Sequence, residues 1–502
     1  MRDGKSIILN VKFGVLSQII KIILQFVSRK VFIYFLGVEL LGVNSLFASI
    51  LSILSMTELG VGSAIAYSLY KPIAENNENK IAGIMHLYRK IYRIIGFVIF
   101  AFGVVLLPFI PEMINTNKNI PYVRLMFFIV LAKTSLSYFL YSYSQTLLIA
   151  SEKKYEVDKI VSIFYIVTNV CEILVLFLTH SFIAYLIIEM ICLISQQFII
   201  YRKVYNQYPS IMCSKGIQLE RNEKKEIWKN VYGLSINKFA GAILGSIDNI
   251  IISTLISTAV VGMYSNYTMI LAAATGIISM AFSSITANIG RKFADSSIKE
   301  SHFYLIFYLN FLICGFSTSM YFLLINDFIS ITFGQNLVLD NITVFAISIN
   351  TLISYMGQSI QVFKDASGIF WFGKYRPLIT CLLNIIFSIV LGKYFGISGI
   401  IFATVISRVL TTTWFDPYIV FKHAFNRGTL NYWLRYIYYV IVIIFSTLLV
   451  SLLFNILNIT GITLFGFIIK SLFSMILCFI LMMAGTIWMN ECKVLIKMVI
   501  RR

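Results

Sequence analysis

The stretch FGVLSQIIKIILQFVSRKVFIYFL (Phe13–Leu36) decides how the chain is read. It is long and apolar enough to cross a bilayer, yet it carries Gln18, Lys21, Gln25, Ser28, Arg29 and Lys30. At 3.6 residues per turn, positions 14, 18, 21, 25 and 28/29 fall on one side of a helix. One Lys or Arg at mid-bilayer costs roughly 2.5–3.5 kcal/mol on insertion scales. A helix that accepts several on one stripe must turn that stripe toward protein or water. The stretch therefore predicts a spanning helix that lines a polar cavity.

The rest of the chain has the same character. Of its 502 residues 59% are hydrophobic and 13% charged, and the mean hydropathy is +0.85. Soluble proteins keep about 25% charged residues. At about 20 residues per span, the apolar content supports about fourteen spans. The fold class expected is an all-α polytopic membrane protein.

The net charge of +19 could suggest nucleic acid, but its distribution does not. Basic residues gather in alternate loops, for example Arg89, Lys90 and Arg93, then Lys153, Lys154 and Lys159, then Arg221, Lys224, Lys225 and Lys229. That is the positive-inside pattern, and it predicts both termini on the cytoplasmic side. The opposite loops are short, which leaves no room for a folded outer domain.

Seven scattered cysteines form no CxxC pair, and the four histidines are equally dispersed, so neither a disulfide framework nor a metal site is indicated. No P-loop, HExxH or GxSxG occurs, so no cofactor and no soluble enzyme chemistry is expected. Asn10, Lys12 and Lys21 interrupt any short apolar core that a cleavable signal peptide would need.

The chain also repeats itself. Gly42 of GVNSLF recurs as Gly262 of GMYSNY (262 − 42 = 220), and Asn10-Val11 and Lys154-Tyr155 recur as Asn230-Val231 and Lys374-Tyr375 at the same offset. Gln145 with Ala150-Ser151 recurs as Gln361 with Ala366-Ser367 (361 − 145 = 216). A near-constant offset across four regions indicates six spans present twice in the same orientation, a transporter-like construction. The expected organisation is an N-lobe over 1–205, a cytoplasmic linker over 206–229, a C-lobe over 230–425, and two further spans with a cytoplasmic tail over 426–502. Ser235, Lys238 and Asp248 give the seventh span a stripe matching that of the first.

Inside the expected spans stand Lys21, Arg29, Lys30, Lys133, Lys238, Arg408 and Lys470, against Glu58, Glu172, Glu189 and Asp248. Seven bases against four acids predict a cationic interior suited to an anionic group in transit. Lys21, Arg29, Lys133, Lys238 and Arg408 are the candidate binding cations. Arg29 and Arg408 lead, because guanidinium grips phosphate oxygens in bidentate fashion. Lys30 lies near an interface where it can snorkel, and Lys470 reads equally as structural. The alternative is buried pairing of Lys21 with Glu58, or of Lys238 with Asp248. Glu58, in TELGVGSA (Thr57–Ala64), and Asp248 are candidates for gating or ion coupling. Gln25, Tyr138, Gln145 and Gln358 are candidate sugar contacts, with helix–helix hydrogen bonding as the competing role.

With these residues in hand, the chain resembles the bacterial polysaccharide transporter family. These are the Wzx-type flippases for lipid-linked oligosaccharides, in the superfamily of MATE exporters and the lipid II flippase. The resemblance rests on FLGVELLGVNSLFASILSILSMTELGVGSAIAYSLYKPIA (Phe35–Ala74) and on TWFDPYIVFK (Thr413–Lys422). It implies a MATE-like fold of two six-helix lobes around a central cavity, with two extra C-terminal helices and alternating access. It also implies a bacterial plasma membrane location and an undecaprenyl-pyrophosphate-linked glycan destined for capsule, wall polysaccharide or O-antigen. Polysaccharide polymerase machinery would be its protein partner, and family precedent for a cavity cation falls on Arg29. The other readings are a MATE-like small-cation antiporter, which would want an acidic cavity, and a membrane glycan polymerase, which would want a sizeable outer loop.

The topology is testable directly. A single cysteine placed in 206–229, or a reporter fused to the C-terminus, should label only from the cytoplasmic side. Labelling of intact cells from outside would invert the assignment.

Overall fold

The computed structural model describes residues 2–58, 61–140, 142–214, 241–294, 298–367, 369, 371–373, 375–457, 459, 461 and 463–500. Among these the secondary structure is helical, with no strand. The first half contains α1 (Arg2–Leu54), α2 (Val61–Ala74), α3 (Glu78–Leu106), α4 (Val123–Leu140), α5 (Gln145–Ala150), α6 (Lys154–Thr179), α7 (Phe182–Gln207) and α8 (Pro209–Cys213). Then come α9 (Gly241–Leu255), α10 (Thr258–Ala294), α11 (Glu300–Phe333), α12 (Asn341–Met356) and α13 (Gln358–Ser367). The remainder is α14 (Arg376–Arg408), α15 (Trp414–Val420), α16 (Leu430–Ile456), α17 (Leu464–Thr486) and α18 (Asn490–Ile500).

Ten described helical stretches are long and apolar enough to cross a membrane. Two of them hold a pair of spans each. In α1 the pair is joined at Gly37 (φ 81°), and in α14 at Gly396 (φ 61°). A positive φ costs glycine little, and at these turns it lets one helix end and the next begin without a loop. With α9 and α12 the spans reach the expected fourteen.

The duplication is legible in the backbone. The turn between α6 and α7 is closed by His180 in the left-handed region (φ 51°), and Gly396 stands 216 positions later (396 − 180 = 216). The interruption after α4, at Leu140, recurs after α12, at Met356 (356 − 140 = 216). One break has no counterpart. Between α1 and α2 the chain tightens into a 3₁₀ turn over Ser55–Glu58, whereas α10 runs on unbroken.

The chain packs as two compact units, Met1–Gly262 and Met263–Arg502. In the first, Phe47 meets Phe127 edge-on at 5.2 Å, and Phe32 meets Phe182 and Tyr185 at 5.6 and 5.2 Å. In this unit α9 lies against α1 through Asn249 Nδ2 donating to Ser49 Oγ at 2.9 Å. The turn from α9 to α10 is fastened by Ser253 Oγ to the Met113 carbonyl at 2.7 Å and by Thr258 N–H to the Asn115 carbonyl at 2.8 Å. The two glycines of the repeated motif touch here. A Cβ built on Gly42 would lie 1.8 Å from the Thr258 carbonyl oxygen, and one on Gly262 would lie 2.2 Å from that of Val38. Backbone meets backbone at this crossing, which is how small residues serve membrane helices.

The second unit is built on aromatics. Phe303, Phe307 and Phe311 recur every four residues along α11, and Phe311 stacks on Tyr439 of α16 at 4.4 Å. The two further spans, α16 and α17, are part of this core rather than loose additions. Tyr308 shares a 2.9 Å hydrogen bond with Thr486, Ser319 one of 2.7 Å with Thr447, and Lys470 Nζ bonds Asp327 Oδ2 at 2.6 Å. The last contact gives Lys470 a structural partner. On the other side of α16, Leu434, Ile437, Ile441, Phe445, Leu448 and Leu452 are exposed. An apolar stripe this long is what a lipid-facing surface requires.

Gly42→Ala should lower the thermal unfolding temperature in detergent, with an overpacking cost of about 1–3 kcal/mol. Gly245→Ala is the control, because a Cβ there meets nothing within 4 Å. Equal behaviour of the two variants would contradict the close crossing.

Candidate functional site

A cavity of about 430 Å³ opens within the first unit between α1, α4, α6 and α7. The stripe of the opening sequence supplies one wall, with Gln25, Ser28 and Arg29. Lys133 enters from α4. From α6 come Tyr165, Thr168, Asn169 and Glu172, one helical face by their spacing of three and four residues. Tyr185, Glu189 and Gln196 of α7 close it on the same spacing rule.

Charges taken out of water must be compensated, and these are. Lys133 Nζ lies 2.7 Å from Glu189 Oε2. Glu172 is 5% exposed and hydrogen-bonded to the Tyr185 hydroxyl, and Arg29 stands within electrostatic reach of Tyr165 and Tyr185. The cavity holds two bases and two acids, a formally balanced cluster where a count of charges along the sequence suggests a cationic one. Lys133 and Glu189 hold each other, and Arg29 and Glu172 stand in the same lining among hydroxyls and amides. Such an arrangement can bind an anion at the guanidinium while its amides and hydroxyls hydrogen-bond a polyol.

Glu58 is handled differently. Its carboxylate accepts from Tyr92 Oη and from Tyr138 Oη, both at 2.5 Å. Tyr88 Oη donates to Tyr92 Oη at 2.9 Å and lies 3.2 Å from Thr146 Oγ1. The 3₁₀ turn that ends α1 is therefore pinned to α3 and α4 by phenols, and phenols take the place foreseen for Lys21. Tyr138, foreseen as a sugar contact, serves this carboxylate.

The other candidates lie elsewhere. Lys21 sits one turn before the cavity wall, its carbonyl 3.5 Å from the Tyr165 hydroxyl. Gln145 opens α5, and Asp248 is buried on α9. Lys238 falls outside the described residues. Arg408 belongs to the second unit, where its guanidinium donates to Ser354 Oγ. Gln358 lines a separate cleft of about 420 Å³ in that unit. Glu172 and Glu189 enter the sequence reading only as acids set against the bases, and Tyr165 and Tyr185 do not enter it. Their helical spacing, 165, 168, 169, 172 and 185, 189, 196, is the signal that finds them.

Among solved structures, the lipid II flippase MurJ in an inward closed conformation matches with a TM-score of 0.70 and 13% identity, over 95% of this chain and 99% of that one. An inward-facing multidrug resistance MATE family transporter of the MOP superfamily matches with 0.57 and 12%, over 80% and 94%. A MATE transporter from Vibrio cholerae gives 0.57 and 13%, over 84% and 98%. No protein-family model and no curated protein matches the chain. The chain has a MurJ/MATE-like fold and the make-up of a multi-pass membrane protein. These three structures are transporters or flippases, not enzymes.

Lys133→Ala leaves Glu189 without its cation inside the membrane, which should destabilise the protein by about 1–3 kcal/mol. The double variant Lys133→Ala with Glu189→Ala should recover part of the loss in thermal unfolding. Additive losses would mean that the two side chains are not coupled.

Proposed function

We propose that this protein is a flippase that moves a polyprenyl-diphosphate-linked oligosaccharide from the cytoplasmic to the outer face of a bacterial plasma membrane by alternating access. The product would feed the assembly of a surface polysaccharide. The observation that carries the reading is Arg29, held in the wall of a membrane-embedded cavity among Gln25, Ser28, Asn44, Thr168, Asn169 and Gln196. Guanidinium suits a diphosphate, whose oxygens accept its parallel N–H donors. Neutral amides and hydroxyls suit the hydroxyl groups of a sugar. The fold likeness to a lipid II flippase supports the same reading, and the polyprenyl chain would remain in lipid.

A small-cation exporter is the second reading. It is favoured by the carboxylates of Glu172 and Glu189 in the same cavity and by the MATE likeness. Lys133 neutralises Glu189 at 2.7 Å, and Arg29 opposes a cationic ligand, so the first reading stands ahead.

In reconstituted vesicles, translocation of a fluorescent polyprenyl-diphosphate glycan should fall about tenfold or more in Arg29→Ala, the loss of one charge-assisted contact of roughly 1.5–3 kcal/mol. Arg29→Lys should recover part of the rate. Unchanged translocation in both variants, or export of a small cation in place of the glycan, would overturn the proposal.

A further inference from the structure

The second cleft, between α10 and α13 in the second unit, has a chemistry of its own. Ser279, Ser283 and Thr286 present one face of α10, at intervals of four and three residues, and Gln358, Gln361 and Asp365 present one face of α13. Phe282 and Val362 supply apolar surface between them. Two of the hydroxyl protons are already committed, since Ser283 Oγ donates to the Met280 carbonyl at 2.8 Å and Thr286 Oγ1 to that of Phe282 at 3.0 Å. Gln361 Nε2 donates to Asp365 Oδ1 at 2.6 Å. What these groups offer a ligand is a mixed polar surface: the lone pairs of Ser283 and Thr286, the Ser279 hydroxyl, the two side-chain amides and a carboxylate.

Among the described residues, Asp365 is the one charged side chain lining this cleft. Its neighbour Lys364 is buried and points elsewhere, its Nζ 3.0 Å from Asp416 Oδ1, where Arg376 also binds. A polar pocket whose charge, among the described lining residues, is one carboxylate is matched to a neutral or amino-bearing ligand. It is mismatched to phosphate and to carboxylate, which would bring like charge to Asp365. Both helices meet the cleft toward an end rich in basic residues, with Arg291 and Lys292 near the end of α10, Lys299 beyond it and Arg376 after α13. By the positive-inside rule that end is cytoplasmic, the side from which a glycan would be received.

We infer that this cleft is a sugar subsite that accepts a neutral or amino-bearing residue of the glycan and discriminates against a uronic acid. The inference rests on the flippase reading and deepens it by naming the class of sugar that the α10–α13 cleft accepts.

The test uses the full-length protein in vesicles with four probes on one polyprenyl diphosphate: no sugar, N-acetylglucosamine, glucosamine and glucuronic acid. The wild type should move the neutral and amino sugars about tenfold faster than the uronic acid, as expected where a polar site rejects a mismatched group. Asp365→Asn removes the charge and should bring the uronic acid to within about twofold of the neutral sugar. Gln358→Ala should slow the sugar-bearing probes and leave the sugar-free one unchanged. Failure of the wild type to move the sugar-free polyprenyl diphosphate would refute the flippase reading itself. If that probe moves but both variants keep the wild-type ranking of sugars, the subsite is refuted alone. A requirement for sodium abolished by Asp365→Asn, with sugar ranking unchanged, would make the cleft a cation site and overturn the inference.

Discussion

Charge inside a bilayer is the constraint from which the first unit follows. Arg29 and Lys133 each carry an insertion cost of roughly 2.5–3.5 kcal/mol near mid-bilayer unless protein or water solvates them. The structure meets that cost by convergence. The polar stripe of α1 turns toward α6 and α7, which return Glu172, Glu189, Tyr165 and Tyr185, and Lys133 of α4 closes the set through Glu189. Their outer faces remain apolar, as with Leu174, Phe177 and Leu178 on α6. The cavity is thus the consequence of putting charge on spanning helices. On the proposed reading it is also the place where a charged cargo would meet partners that are already desolvated.

The backbone obeys the matching rule. Interrupted helices are tolerated in a membrane only where neighbours satisfy the freed polar groups. The interruption after α1 carries Glu58, and the hydroxyls of Tyr92 and Tyr138 close around it. The turns at Gly37 and Gly396 spend glycine where φ must be positive. Duplication supplied the frame, and divergence supplied the chemistry. In the first copy the polar faces carry an acid–base cluster. In the second the α10–α13 cleft carries hydroxyls, amides and Asp365, while Lys364 and Arg376 are held apart from it on Asp416.

Much of this was legible along the chain. The α1 stripe placed Gln25, Ser28 and Arg29 on one wall, and the structure keeps them together there. The offset of 220 found Gly42 and Gly262, which meet backbone to backbone. Other features were hidden because they depend on partners far apart in sequence. The acids of α6 and α7 entered a count of charges as opponents of the bases, when in space Glu189 is the counter-ion of Lys133. Lys21 is the cation that the sequence offers as a partner for Glu58, yet phenols 34 and 80 residues away bond to its carboxylate. Kinks that join two spans into one helix depend on a single residue's φ, which periodicity does not register.

The most direct test of the central claim is equilibrium binding of the detergent-solubilised protein to three ligands sharing one polyprenyl chain, ending in a diphosphate, a monophosphate or a free alcohol. The account predicts tightest binding of the diphosphate, with the difference between diphosphate and alcohol collapsing in Arg29→Ala. Equal affinity for all three in the wild type would show that the lipid chain alone is recognised, and would contradict a cavity built around anion capture.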